Sequence, residues 1–395
     1  MDHAHRWFRI GSDLATKLRF GGDMSGSTIH TLTDGHVRLK LYPPLTHDLL
    51  SPTSQTHNVV TMAPLTAAEI VKHSAYDSVA WNLPPTTSGT CPVAQNRRGG
   101  PLNLYYEIHG TGPAKLVWIM GLNASHDDWK RQTKYFGHQN ASKYTCLVFD
   151  NRGVGRSDKP VNYYSTSEMA QDVVDLLSHL GWIDLSAPAT RSIHVMGASM
   201  GGMISQEVGM LIPDRLASLT LCCTAPRLVR TAPFLENLRE RASMFIPRHV
   251  DVELARLGHT LFGGDFLDQS DTEYEDPEKN FPTRRERFAA GQLKKREDPD
   301  SFTKKGFLMQ IVACYFHHKS PEQLKALGDA VGRERIAVLH GTEDRMLTFR
   351  HGEILHEEIG KGILWKVYEG SGHVLMWENE DEVNQLVKEL VDRTS

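Results

Sequence analysis

Val195-Met196-Gly197-Ala198-Ser199-Met200-Gly201-Gly202 is the stretch on which the reading of this chain turns. It is an apolar strand end running into Gly-x-Ser-x-Gly. The apolar residues Ile193-His194-Val195-Met196 before it read as a buried strand, and Met203-Ile204-Ser205-Gln206-Glu207-Val208-Gly209-Met210 after it as a helix. A serine hydroxyl is a weak nucleophile at neutral pH. It has to be lifted out of the sheet on a tight strand-to-helix turn, beside a base and facing backbone donors. Small neighbours make such a turn sterically possible. The bland alternative for so short a pattern is an ordinary glycine turn, and the flanking strand and helix weigh against it.

A nucleophile needs partners, and two strand ends downstream supply them. Arg335-Ile-Ala-Val-Leu-His-Gly-Thr-Glu-Asp344 is an apolar strand that breaks at glycine and presents Asp344. Ile363-Leu-Trp-Lys-Val-Tyr-Glu-Gly-Ser-Gly-His373 is another, ending in a glycine-flanked histidine. Asp344 lies 145 positions after Ser199, room for a strand and an inserted cap, and His373 a further 29, room for the helix read at 349–360. Chemistry then assigns the expected roles. His373 takes the Ser199 proton and returns it to the leaving group, while Asp344 fixes the imidazole tautomer and stabilises the imidazolium. Glu343 is the rival acid, but its neighbouring position directs its side chain elsewhere. His340 precedes Asp344, so it is read as structural.

Acyl transfer also needs donors for a developing oxyanion. The strand Ala114-Lys-Leu-Val-Trp-Ile-Met120 runs into Gly121-Leu122-Asn123-Ala124-Ser125. The expected donors are the backbone N–H groups of Leu122 and Met200.

With Phe149-Asp-Asn-Arg-Gly-Val-Gly-Arg-Ser-Asp158, Met200-Gly-Gly-Met-Ile-Ser-Gln206 and Ile212-Pro-Asp-Arg-Leu216 added, residues 100–392 resemble the α/β-hydrolase superfamily. The subgroup resembled has a helical cap and includes esterases, enol-lactonases and meta-cleavage hydrolases. The resemblance implies a mostly parallel twisted sheet, helices on both faces, and a cap insertion. One departure is that Met120 stands where the family often has His before the oxyanion-loop glycine, which removes a side-chain contact but no N–H donor.

The alternation of strand and helix patterns from 100 to 224 independently implies a parallel α/β sheet, whose site falls at the C-terminal strand ends. Ser199, Asp344, His373 and Leu122 all occupy such ends. Residues 225–332 break the alternation with helical patterns at 234–245, 250–262, 284–295, 302–316 and 321–331, and read as the cap. The acidic stretch 265–281 reads as an exposed loop. Phe302, Phe307, Leu308, Ile311, Val312, Tyr315 and Phe316 are expected to pack on the sheet domain, the sharper reading being that some line a cavity above Ser199. Residues 333–395 return to the core.

Residues 1–61 are rich in His, Thr, Ser and Pro and read as a disordered extension. Met62 is an alternative start, and Thr66-Ala-Ala-Glu69 has capping-box spacing, opening a helix and linker over 62–99. A competing reading takes Arg6-Trp-Phe-Arg-Ile10 and Leu14 to Phe20 as a basic presequence helix and implies a mitochondrial address, but Asp2 and Asp13 oppose it.

The chain has 395 residues, is 40% apolar and carries a net charge of −4, which gives no reason to expect nucleic acid as a partner. No apolar run reaches the roughly eighteen residues of an integral membrane segment. Five cysteines, with Cys146 and Cys222 in core strands, and no secretory signal favour a reducing, cytoplasmic setting. Gly153-Val-Gly155 lacks a third glycine and an acidic ribose partner, so no nucleotide cofactor is implied. His317-His318 lack zinc-site spacing and read as surface residues, so no metal is implied either. The Asn123-Ala-Ser125 and Asn140-Ala-Ser142 glycosylation patterns read as chance. Asp150 and Arg152 read as loop-fixing.

These readings converge on a serine hydrolase that uses water to cleave a carboxylic ester, lactone or thioester of a small or medium apolar molecule, with no cofactor. Alternatives on the same fold are cleavage of an activated C–C bond, acyl transfer to another acceptor, and a ligand receptor that retains the triad. Substrate identity and oligomeric state are not encoded in the spacing.

Overall fold

The computed structural model describes residues 63–231 and 248–394. The extension over 1–61, Met62 and the expected cap helix at 234–245 lie outside the described residues. Eight strands form one sheet: β1 (Thr87–Val93), β2 (Leu102–Gly110), β3 (Ala114–Ile119), β4 (Tyr144–Phe149), β5 (Ile193–Ala198), β6 (Leu216–Cys222), β7 (Ile336–Gly341) and β8 (Leu364–Tyr368). Their order is β1-β2-β4-β3-β5-β6-β7-β8. β1 to β2 and β2 to β4 pair antiparallel, and the remaining pairs are parallel.

Side chains alternate faces along a strand, and here both faces are apolar, the pattern of a parallel sheet covered on two sides. Val117 and Ile119 of β3, Val195 of β5 and Val338 of β7 join one core with Val173 and Leu177, Ile204 and Val208, and Leu324 and Leu327. These come in pairs from helices α2 (Thr166–His179), α3 (Met200–Leu211) and α7 (Pro321–Val331). Leu116 and Trp118 of β3, Val148 and Leu339 point the other way, to Trp129, Phe136, Leu386 and Leu390. The last two belong to α9 (Glu380–Thr394), and α8 (Arg350–Ile359) packs against β7. Each buried Leu or Val contributes about 1.5–3 kcal/mol.

Between β6 and β7 the described cap helices are α4 (Val250–Leu261), α5 (Arg284–Glu297) and α6 (Lys304–Phe316), with α7 leading back to the sheet. The insertion is pinched at its base by an Arg227–His318 bridge and by Lys319 N–H donating to the Pro226 carbonyl at 2.8 Å.

Four expectations change. Residues 62–99 contain, besides the capping-box helix α1 (Ala67–Ile70), the edge strand β1. Its Gly89 and Pro92 weaken a strand pattern, and only an edge position tolerates such a proline. Second, the acidic stretch is fastened down: Arg287 holds buried Asp271 through Nε at 2.6 and 2.7 Å, and Phe266, Leu267 and Phe281 are buried. Third, α6 turns Gly306, Gln310 and Ala313 inward and leaves Leu308, Tyr315 and Phe316 exposed, while Phe302, Phe307, Ile311 and Val312 are half-buried. Finally, His317 is buried and bonded to Thr166 Oγ1 at 2.8 Å, whereas His318 is exposed.

Candidate active site

Ser199 sits on the turn between β5 and α3 with φ 56° and ψ −122°, a conformation that strains any residue bearing a Cβ. Backbone bonds hold it there. Its N–H donates to the Cys222 carbonyl at 3.0 Å, and its own carbonyl accepts from Gly202 and Met203 N–H at 3.0 and 3.3 Å. Thr224 Oγ1 adds a 2.6 Å bond to the same carbonyl. The glycines are dictated by close approach. A Cβ on Gly201 would lie 2.0 Å from the Ile119 carbonyl oxygen, and one on Gly197 would lie 2.2 Å from that of Gly201.

Asp344 and His373 follow β7 and β8, whose parallel pairing brings their C-terminal ends together. Asp344 Oδ2 and His373 Nδ1 are hydrogen-bonded at 2.7 Å, and Asp344 Oδ1 accepts Met346 and Leu347 N–H at 2.9 and 2.8 Å. Burial opposes ionisation of this carboxyl. The His373 charge and the contacts of His340 and His373 outweigh it and hold the group well below the usual carboxylate range. His373 N–H donates to the Leu261 carbonyl at 2.7 Å, tying the histidine loop to the cap. Among the described residues no hydrogen bond links Ser199 Oγ to His373 Nε2.

The loop after β3 lies against the serine: a Cβ on Gly121 would be 3.1 Å from Ser199 Cβ and 3.6 Å from Oγ. Asn123 takes a left-handed φ of 55°, and its N–H donates to Gln310 Oε1 at 2.8 Å. No acceptor for Leu122 N–H or Met200 N–H occurs among the described residues, while the N–H groups of Asn123 and Ser199 are engaged.

Glu343 faces away, accepting from Gly264 N–H and Arg345. His340 Nε2 bonds the Leu347 carbonyl at 2.7 Å and lies 3.3 Å from Asp344 Oδ2, bracketing the acid from behind. Asp150 accepts from His126 and from Arg156 N–H, and Arg152 clasps buried Asp172 with two 2.6 Å bonds. Three residues with no signal in the sequence also shape the site. Thr224 and Gln310 are two of them. The third, Glu378, accepts Gly372 N–H at 3.0 Å and Gly263 N–H at 2.9 Å, and burial raises its pKa.

Among the described residues, two depressions of about 220 Å³ and about 160 Å³ are lined by neither Ser199, Asp344 nor His373. The larger, beside β2, is lined by Glu107, His126, Lys130 and Arg156 among others. Among the described residues, Cys223, Asp344 and His373 form the group whose ligand atoms come within 4.8 Å of one another. The Asp and His of that set already bond each other. Among the described residues no helix is long and apolar enough to cross a membrane.

A family profile described as the alpha/beta hydrolase fold matches residues 116–380. The chain belongs to the α/β-hydrolase family. A carbamate hydrolase candidate, RutD of Azorhizobium caulinodans, is 32% identical over 123 residues, 31% of this chain and 42% of that protein. The chain thus spans less than half the length of that relative. The 2-hydroxy-6-oxononadienedioate/2-hydroxy-6-oxononatrienedioate hydrolase of Escherichia coli is 23% identical over 299 residues, covering 75% of this α/β-hydrolase and 93% of the relative. Among solved structures, a thermophilic esterase from Thermogutta terrifontis superposes with a TM-score of 0.56 at 21% identity, covering 78% of this chain and 99% of that one. Est816, an N-acyl homoserine lactone degrading enzyme, gives 0.57 at 22% identity, covering 76% and 99%. At such identities these structures speak to the fold alone.

Proposed function

We propose that this α/β-hydrolase cleaves a carboxylic ester, lactone or thioester through an acyl-enzyme on Ser199. The observation that carries the reading is the buried 2.7 Å bond between Asp344 and His373 Nδ1, which leaves Nε2 as the nitrogen free to work as a base. Ser199 Oγ attacks the carbonyl carbon as its proton passes to His373 Nε2. The charge that develops on the carbonyl oxygen meets Leu122 and Met200 N–H, neither of which has an acceptor among the described residues. Collapse expels the alcohol, thiol or ring oxygen, which takes the proton back from His373. Water then repeats the sequence on the acyl-enzyme and releases the acid. The substrate expected is an apolar molecule of small or medium size.

A second reading is cleavage of an activated C–C bond. The relative matched over 93% of its own length is named for a 2-hydroxy-6-oxo dioate substrate. One experiment addresses both. The native chain and Ser199→Ala are treated with a fluorophosphonate probe, then assayed on p-nitrophenyl esters of increasing acyl length and on a 2-hydroxy-6-oxo-dienoate. Labelling confined to the native chain with ester turnover supports the proposal. Equal labelling of both proteins refutes the nucleophile, and turnover of the dienoate alone moves the assignment to C–C cleavage.

A further inference from the structure

Gln310 is a fully buried side chain on the inward face of cap helix α6, where its neighbours are Gly306 and Ala313. Its amide ends are both engaged. Oε1 accepts Asn123 N–H at 2.8 Å, and Nε2 donates to the Arg152 carbonyl at 3.0 Å. An N–H can meet only the oxygen and a carbonyl only the nitrogen, so the two backbone partners fix which way the amide faces.

Both anchors are stiff. Arg152 is held through its guanidinium by Asp172, and α6 sits so close to this loop that a Cβ on Gly306 would lie 1.9 Å from the Gly153 carbonyl oxygen. The helix therefore cannot slide over residues 152–153 without a clash. Gln310 reaches from this fixed seat to Asn123, whose left-handed φ of 55° is a conformation that a non-glycine residue abandons readily when nothing holds it. The peptide linking Leu122 to Asn123 is the one whose N–H Gln310 captures. The preceding peptide, linking Gly121 to Leu122, carries the N–H that the proposed function aims at the oxyanion. The two planes share Leu122 Cα, so freeing one releases the other.

We propose that Gln310 is a positioning residue through which the cap sets the oxyanion loop, so that the Leu122 donor is aligned only while α6 is seated on residues 152–153. The proposal rests on the reading of Ser199 as nucleophile and Leu122 N–H as oxyanion donor. Removal of a whole oxyanion donor lowers kcat by about 10²–10³-fold, which is the ceiling for its misplacement.

The test compares the native protein with Gln310→Met, which keeps the bulk and loses both bonds. It adds Gln310→Glu, whose carboxylate still accepts Asn123 N–H but cannot donate to the Arg152 carbonyl. Turnover of p-nitrophenyl butyrate, inhibition by an alkyl trifluoromethyl ketone and Tm are measured for each. Gln310→Met is expected to lose roughly ten- to a hundredfold in kcat with KM within about threefold, and to bind the ketone more weakly by the same factor. Gln310→Glu is expected to recover most of kcat while its Tm stays as low as that of Gln310→Met, because a buried carboxylate then faces a carbonyl. Two results overturn the coupling: kcat within about threefold of native in both variants whatever the Tm, or kcat falling in step with Tm in both. Ser199→Ala assayed alongside separates the levels. If it keeps full turnover, the nucleophile reading has failed; if it is inactive and the Gln310 variants behave as native, only the coupling has failed.

Discussion

Replacing His126 with Asn should remove a contribution to stability that falls as pH rises through neutrality. The imidazole is buried, with Nδ1 2.8 Å from Asp150 Oδ1 and Nε2 3.5 Å from Glu107 Oε1 and 3.6 Å from Asp127 Oδ1. Burial works against its charge. The bond and charge of Asp150, followed by Asp127 and Glu107, prevail and push it up to about 9. The unfolded value is near 6.5, so between these limits the native state holds a proton that the unfolded chain has released, and stability falls as pH rises. The interval converts to at most about 3 kcal/mol at 1.36 kcal/mol per pH unit. The Asp127 side chain is 72% exposed and largely screened, which reduces the expected loss. About 1–2 kcal/mol between roughly pH 6.5 and pH 8 is the working figure. The window must stop there. Half-buried Lys130, pushed down to about 8 by burial first and by Arg131 next, is deprotonated above that pH in the native state while still charged when unfolded. Its contribution therefore rises with pH and opposes that of His126. The assay is urea unfolding of both proteins at several pH values. His126→Asn should be less stable near pH 6.5, and the gap between the two proteins should narrow by about 1–2 kcal/mol by pH 8. Parallel stability curves would refute the reasoning.

Other outcomes follow from the same geometry. Asp344→Asn should keep the fold and lower kcat by about 10⁴-fold, because the amide leaves the imidazole in the wrong tautomer; steady-state kinetics on the best ester reads this out. Gly201→Ala forces a Cβ to 2.0 Å from the Ile119 carbonyl and should lower Tm by roughly 10 °C, at about 2–4 °C per kcal/mol, checked by calorimetry. Leu122→Ala should leave kcat within about threefold, since only the backbone N–H is required there, and abolished turnover would contradict the oxyanion geometry.

The sheet was legible because its signals are local and redundant. α7 falls on residues 321–331 as the Pro321 start delimits it, β5 runs two residues past Met196, and β7 starts one residue after Arg335 and ends at the glycine break, while β8 stops at Tyr368, five residues before His373. The placement of Ser199, Asp344 and His373 at strand ends was equally readable, since chain order and glycine punctuation are properties of the sequence. What escaped the sequence was contact between distant segments. Gln310 lies 187 positions from Asn123, and Glu378 lies 115 from Gly263, with nothing near either residue to announce the pairing. α6 misled for a related reason. Its bulky apolar residues suggested a packing face, but the approach to residues 152–153 is so tight at Gly306 that the fully buried positions are Gly306, Gln310 and Ala313, with Met309 and Cys314 packing partly buried beside them. His317 misled because a doubled histidine carries no sign of which ring turns inward.

The chain's early turns have a further consequence. Ile70, Tyr76 and Val79 share an apolar cluster with Leu254 of α4, Phe281, and Ala290 and Leu293 of α5. Asp251 Oδ1 accepts Ala67 N–H at 2.7 Å, and Tyr76 Oη donates to Glu297 at 2.7 Å. The cap is therefore built from two stretches of sequence about 180 to 220 residues apart, and among the described residues half of the buried side chains of this cluster precede the first strand. Grafting residues 225–332 alone onto another hydrolase core would transplant a body with one wall missing. An exchange of caps between members of this family has to carry residues 65–79 with it.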